Sequence, residues 1–203
     1  PADTTTAGPP IPPSRTRPSM NSTATGSHFD TSFQVIWPAN AGFFAADLFF
    51  ESFGGGFPAP APISLAGVEI PQENWFQCVA LYKWPDGLIE TVGFCNWIRC
   101  GEVYLEGGLC VKGSFYKRLP REHWKECRTR GGVAQLMMEA GAARLNDLPA
   151  WFGYCGDKRA LIVDRRVGFK DTAYPYLIAK WFRALPAAEQ DQLSAKIAQS
   201  GPF

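Results

Sequence analysis

Short apolar runs bounded by turn residues mark the middle of the chain, and helical spacing takes over in its second half. Residues 73–84, 88–99 and 102–111 read as three consecutive strands. Pro85-Asp86-Gly87 is a turn signature between the first two, and Arg99-Cys100-Gly101 reads as the second turn, so an antiparallel meander is predicted. A shorter run at 33–37 (FQVIW) predicts one more strand. Residues 41–53 (AGFFAADLFFESF) have helical spacing but are apolar nearly all round. Such a helix needs cover on most sides, from its own domain or from a partner. Gly54-Gly55-Gly56 stops it.

Downstream, 119–127 predicts a short helix with Pro120 near its first turn. A second helix is predicted over 133–145, with Val133, Leu136, Met137, Ala140 and Leu145 at its apolar positions. A strand at 151–155 and a helix at 158–167, closed by Gly168, come next. Residues 174–198 read as helical in two parts, broken at Pro186. Residues 1–27 hold Pro, Thr, Ser, Ala and Gly with Arg15 and Arg17, too little apolar surface to fold on itself. If that segment is held in place, a neighbouring chain is the expected holder. Pro58 to Pro62 (PAPAP) reads as a stiff extended linker. The organisation is therefore an extended arm at 1–28, a folded domain at 29–172 and a C-terminal helical extension at 173–203.

Composition narrows the classes. The chain has 203 residues, suited to one domain plus a tail, and 46% of them are apolar. Its net charge of +1 supplies no strong field for nucleic acid or an acidic membrane. The six cysteines lack a zinc-site spacing and the only histidines are His28 and His123, so no metal site is expected. The cysteines read as reduced, mostly buried small apolar residues. No apolar run reaches the roughly 18 residues a membrane span needs, and no secretory leader is read.

Two segments carry a family likeness. The first is Arg128-Thr129-Arg130-Gly131-Gly132-Val133-Ala134 at the start of the 133–145 helix. Glycines there let the backbone approach phosphates, and free N–H groups at a helix start attract anions. The second is Asp157, Ala160, Asp164, Gly168 and Phe169 in fixed spacing. With the order of elements, these resemble the GNAT acetyltransferase superfamily, whose members bind acetyl-CoA and acylate amines. The first segment is similar to its pyrophosphate loop, Arg/Gln-x-x-Gly-x-Gly/Ala. The second is similar to its Asn-x-x-Ala-x-x-x-Tyr-x-x-x-Gly-Phe pattern. The resemblance covers about residues 73–172. It implies an α/β (α+β) fold with a mixed, mostly antiparallel central sheet flanked by helices. It further implies that Val111, Arg128, Arg130, Gly131, Gly132, Val133, Ala134 and Asp157 face the cofactor, with the Val111 backbone pairing the pantetheine arm.

The chain departs from the pattern in three places. Asp164 stands where the family has a tyrosine acid, and an ordinary carboxylate with a pKa of about 4 has no proton to give; Tyr154 is the substitute. Val133 replaces a small loop residue and is expected to crowd a phosphate. Residues 113–127 form an insertion that covers the cofactor slot or serves as an attachment surface. Glu106 on the third strand is the expected base, with Glu90 and Glu102 as runners-up; His123 is expected at the surface.

Two functions are weighed, and the first is favoured. It is a catalytically degenerate structural component of a multi-copy assembly, a tailed-bacteriophage virion in its concrete form, needing no cofactor. The alternative is an active acetyl-CoA-dependent N-acetyltransferase acting on an amine. In the favoured reading, residues 1–28, 41–53 and 113–127 meet other protein chains. Residues 9–13 (PPIPP) also fit an SH3-like partner. The expected location is a virion or the host cytoplasm, not a secreted one.

Overall fold

The structure, a computed structural model, describes residues 28–54, 63–65 and 68–203. The Pro-rich arm apart from His28, its 9–13 motif and the 58–62 linker lie outside the described residues.

A short helix, α1 (His28–Ser32), leads into β1 (Phe33–Ile36) and then α2 (Gly42–Phe53). Gly54 ends α2 with φ +68°, which returns its N–H to Phe50 O. β2 (Ile63–Leu65) and β3 (Val68–Ile70) form a separate two-stranded hairpin. A 3-10 turn at Gln72–Asn74 precedes the meander of β4 (Trp75–Lys83), β5 (Ile89–Cys100) and β6 (Val103–Val111). The first hairpin turns because Asp86 accepts the Leu88 N–H at 3.0 Å and Gly87 takes φ +90°. After α3 (Phe115–Arg118), α4 (Arg121–Thr129) and α5 (Val133–Arg144) come β7 (Ala150–Tyr154) and α6 (Lys158–Val167). The chain finishes with β8 (Lys170–Asp171), β9 (Leu177–Trp181) and α7 (Ala187–Ala198).

Seven strands form one sheet in the order β1-β4-β5-β6-β7-β9-β8. Every neighbouring pair is antiparallel except β6 and β7. This is the mixed, mostly antiparallel sheet flanked by helices that the sequence implied. The parallel pairing runs from Val103↔Ala150 to Glu106↔Gly153 and stops. β6 continues to Val111 beside β5 alone, after a register shift that leaves Gly107 between the pairs Trp97↔Glu106 and Asn96↔Gly108. The two strands therefore part at Glu106.

One expectation is corrected. The first half of the C-terminal extension is not helical: Leu177–Trp181 is a strand, held between β7 and β8. Leu177 and Ala179 pack into one core and Ile178 into the other. A short run buried on both faces shows no period that separates strand from helix. Pro186 does not break a helix there; it sits at the N-cap of α7.

One face of the sheet carries α5, α4 and α6 over Cys95, Trp97, Tyr104 and Trp151. On the other face α2 covers Val79, Phe94 and Cys110 through Ala41, Ala45 and Leu48. α7 covers Ile98, Leu105 and Phe152 through Ile197. α2 is covered on one side only: Phe43 is 85% exposed and Phe50 63%. All six cysteines are free, four of them buried. Among the described residues no His/Cys/Asp/Glu group is arranged to hold a metal ion, and no helix is long and apolar enough to cross a membrane.

α5 lies very close to the sheet. A Cβ at Gly93 on β5 would fall 2.7 Å from Met137 Cε and 2.9 Å from Val133 Cγ1. One at Gly141 on α5 would fall 2.5 Å from Trp97 Cζ2 and 2.9 Å from Trp151 Cη2. Helix propensity favours alanine over glycine by about 1 kcal/mol. Overpacking of fixed rings costs about 1–3 kcal/mol, and both indoles are fully buried. Gly141→Ala is therefore expected to lower the Tm in thermal unfolding; an unchanged or raised Tm would show that the rings can retreat.

Candidate active site

A cleft of about 360 Å³ opens where β6 and β7 part. Its floor is the β6 run from Glu106 to Leu109, with Tyr154 and Cys155 across from it at the end of β7. Ala134 from the first turn of α5 and Ala160, Val163 and Asp164 from α6 close one side. Phe53 from α2 and Phe203 complete the wall.

The chemistry centres on two carboxylates. Glu106 is the last β6 residue paired with β7. Burial pushes its pKa from the ordinary 4.5 to about 7, and the nearby charge of Asp164 adds to the effect. A hydrogen bond from the Gly108 backbone and the Cys95 thiol, 3.9 Å from Oε1, act in the opposite direction. Asp164 is itself buried. Burial raises its pKa, opposed by a hydrogen bond from Cys155. The ordinary value assumed for Asp164 from sequence therefore does not hold. Burial, with Asp164 adding, pushes the Cys155 thiol up to about 12, so it is no thiolate near neutral pH.

The glycine loop is arranged differently from an open phosphate cradle. Gly131 and Gly132 take φ +86° and +91°. Their N–H groups donate to Arg128 O at 3.0 Å and Cys127 O at 2.8 Å. The Val133 N–H donates to the Tyr116 hydroxyl at 3.0 Å. Two first-turn amides of α5, Ala134 and Gln135, have no partner among the described residues. The Val133 side chain is buried in the core against Gly93, so it does not crowd the loop from outside as expected. The Gln135 side chain folds over Gly131, leaving its Oε1 buried without a partner.

The two loop arginines diverge. Arg130 pairs with Asp30 of α1 and lies over the Phe29 ring, turned away from the loop glycines. Arg128 stacks over Trp124. Together with Arg166, Tyr116 and Trp124 it lines a second cleft, of about 340 Å³, beside Gly131 and Gly132. The clefts flank the first turn of α5.

The remaining candidates are dispersed. Val111 pairs with Gly93 at the far end of β6 and does not line the cleft; the residues of β6 that do are Glu106 to Leu109. Asp157 is at the cleft and is also the N-cap of α6, accepting from the N–H groups of Arg159 at 2.7 Å and Ala160 at 2.9 Å. Glu90 sits elsewhere: burial favours its neutral form, but hydrogen bonds from Lys112, Trp84 and Arg118 hold it below the usual range. Glu102 lines a separate cleft together with residues of α7. His123 is half-buried rather than a surface residue, with Nδ1 2.5 Å from the Tyr82 hydroxyl. The inserted α3 and α4 bury Phe115, Leu119 and Cys127 in the core and bring Tyr116 to the loop.

Sequence reasoning missed Arg166, Cys155, Phe53 and Phe203 as site residues, and treated Asp164 as a lost acid rather than a buried partner of Glu106. Arg166 had one signal, its place in the helix that carries Ala160 and Gly168. Nothing in the sequence separates it from Arg165, which pairs with Asp171.

No family model matches the chain, and no curated protein does. Among solved structures it is similar to ribosomal-protein-S5-alanine acetyltransferase from Vibrio fischeri, at 11% identity and TM-score 0.43, over 76% of this chain and 96% of that one. Nourseothricin acetyltransferase is 14% identical with TM-score 0.44, over 75% of this chain and 99% of that one. AtaTR bound with AcCoA is 12% identical with TM-score 0.38, over 80% of this chain and 98% of that one. Likenesses this distant transfer no residue roles.

The raised Glu106 pKa has a stability consequence. Between about pH 4.5 and 7 the folded protein holds a proton that the unfolded chain releases, so stability falls as pH rises through that window. Glu106→Gln is expected to flatten this decline and to raise the Tm at pH 8 relative to the parent. Thermal melts across pH 5–8 measure it; parallel curves for the two proteins would refute the assignment.

Proposed function

We propose that the chain is an acetyl-CoA-dependent N-acyltransferase in which Glu106 takes the proton of an acceptor amine. The observation that carries this reading is the position of Glu106 at the parting of β6 and β7, with a pKa of about 7. A base poised near the working pH, in a cleft and tuned by a second carboxylate, is what amine deprotonation requires.

The residues present fit the CoA group in part. The amides of Ala134 and Gln135, without a partner among the described residues, would meet pyrophosphate oxygens, and Arg128 and Arg166 line the neighbouring cleft beside Gly131 and Gly132. The Tyr116 hydroxyl holds the Val133 amide, which is not available without its displacement. Acetyl-CoA supplies an activated acyl thioester. Glu106 accepts the ammonium proton and leaves a neutral amine at the cleft floor. Tyr154, the phenol among the lining residues, is the proton donor for the leaving group in this reading. Glu106→Gln is expected to lower kcat by about 10²–10⁴-fold with little change in acetyl-CoA affinity. Isothermal titration with acetyl-CoA should show micromolar binding; no heat at millimolar ligand would remove the reading.

A second reading is favoured by the outward phenyl rings of α2 and the self-closed glycine loop. In it the chain is an assembly component of a larger particle, a tailed-phage virion in its concrete form, with the 1–28 arm as anchor. Deleting residues 1–27 should then prevent incorporation into the particle. Normal particles that still contain the shortened protein would end this version.

A further inference from the structure

We infer that the acceptor is a primary amine carried on an apolar, ring-sized group. This rests on the acyltransferase reading of the same cleft and narrows its substrate class.

The charges come first. The carboxylates lining the cleft are Glu106, Asp157 and Asp164, and among the described residues no lysine or arginine lines it. The whole chain carries 20 basic residues against 19 acidic ones, so this one-sided lining is local. An ammonium is drawn to such a floor, and a carboxylate or phosphate on the acceptor is repelled.

The wall above the acids is aromatic. The Phe53 ring reaches over Gly108, where a Cβ would lie 3.7 Å from its Cζ. Phe203 packs edge-on against Tyr154, with ring centroids 5.2 Å apart. Phe53 lines the cleft and is 50% exposed. Gly108 leaves the floor beneath the Phe53 ring bare of a side chain. An amine seated at Glu106 has its carbon skeleton against these rings. A flat apolar body gains burial and ring contact there. A polar chain loses its hydration against the phenyl surface.

The test is equilibrium binding to the full chain at pH 7.5, with three probes. Phenethylamine has the amine and the ring, N-acetylphenethylamine keeps the ring without the charge, and lysinamide carries two amines on a polar chain without a ring. Phenethylamine is expected to bind about tenfold tighter than either of the others. Phe53→Ala, a change at an exposed position, is expected to weaken phenethylamine at least about threefold and leave lysinamide unchanged. Equal or tighter binding of lysinamide, or no effect of Phe53→Ala, would overturn the inference. An acetyl-CoA titration on the same protein separates the two levels. Acetyl-CoA binding without selection for phenethylamine overturns only the acceptor class. Selection for phenethylamine without acetyl-CoA binding overturns transfer and leaves an acidic, ring-walled amine site.

Discussion

The close seating of α5 on β5 sets the rest of the arrangement. Gly93 on the strand and Gly141 on the helix remove the side chains that would hold the two apart, and Val133, Met137, Trp97 and Trp151 fill the contact. Close-packed interiors resist small displacements, so a helix wedged at two points has little freedom in height or tilt. Its first turn is thereby delivered to the place where β6 leaves β7. Val133 plugs into the core and Ala134, the next residue, lines the cleft.

The parting of the strands creates the chemistry. While β6 and β7 pair, their edges satisfy each other; past Glu106 the extra residue at Gly107 turns β6 away. Two carboxylates from different elements then face one poorly hydrated space. Desolvation makes it costly for both to be ionised, which is why Glu106 and Asp164 are both raised. The same seclusion keeps the Cys155 thiol neutral and unsuited to nucleophilic work.

The insertion of α3 and α4 belongs to the domain rather than hanging from it. Tyr82 anchors it, touching Phe29, Trp84, Phe115 and His123 through ring contacts. Arg118 lies over Trp84 and bonds Glu90, joining the insertion to β5. Its Tyr116 hydroxyl occupies the first amide of α5. The insertion thus restricts how an anion can reach the helix start, while Arg128 and Arg166 keep a cationic cleft beside it.

The sequence by itself determined those features whose causes are local. Turn chemistry at Asp86 and Gly87 placed the first hairpin, and Gly54 and Gly168 placed two helix ends. The spacing of Asp157, Ala160 and Gly168 outlined α6, and the doubled glycine marked the start of α5. Tertiary structure decided what depends on neighbours distant in the chain. Leu177–Trp181 became a strand because β7 and β8 offered backbone partners on both edges. Arg130 went to Asp30, a hundred residues earlier in the chain, rather than to the loop. Glu106 and Asp164 acquired raised pKa values only when β6 and α6 enclosed them together. Backbone propensity acts over a few residues, whereas desolvation, charge coupling and side-chain direction exist only after the chain has closed on itself.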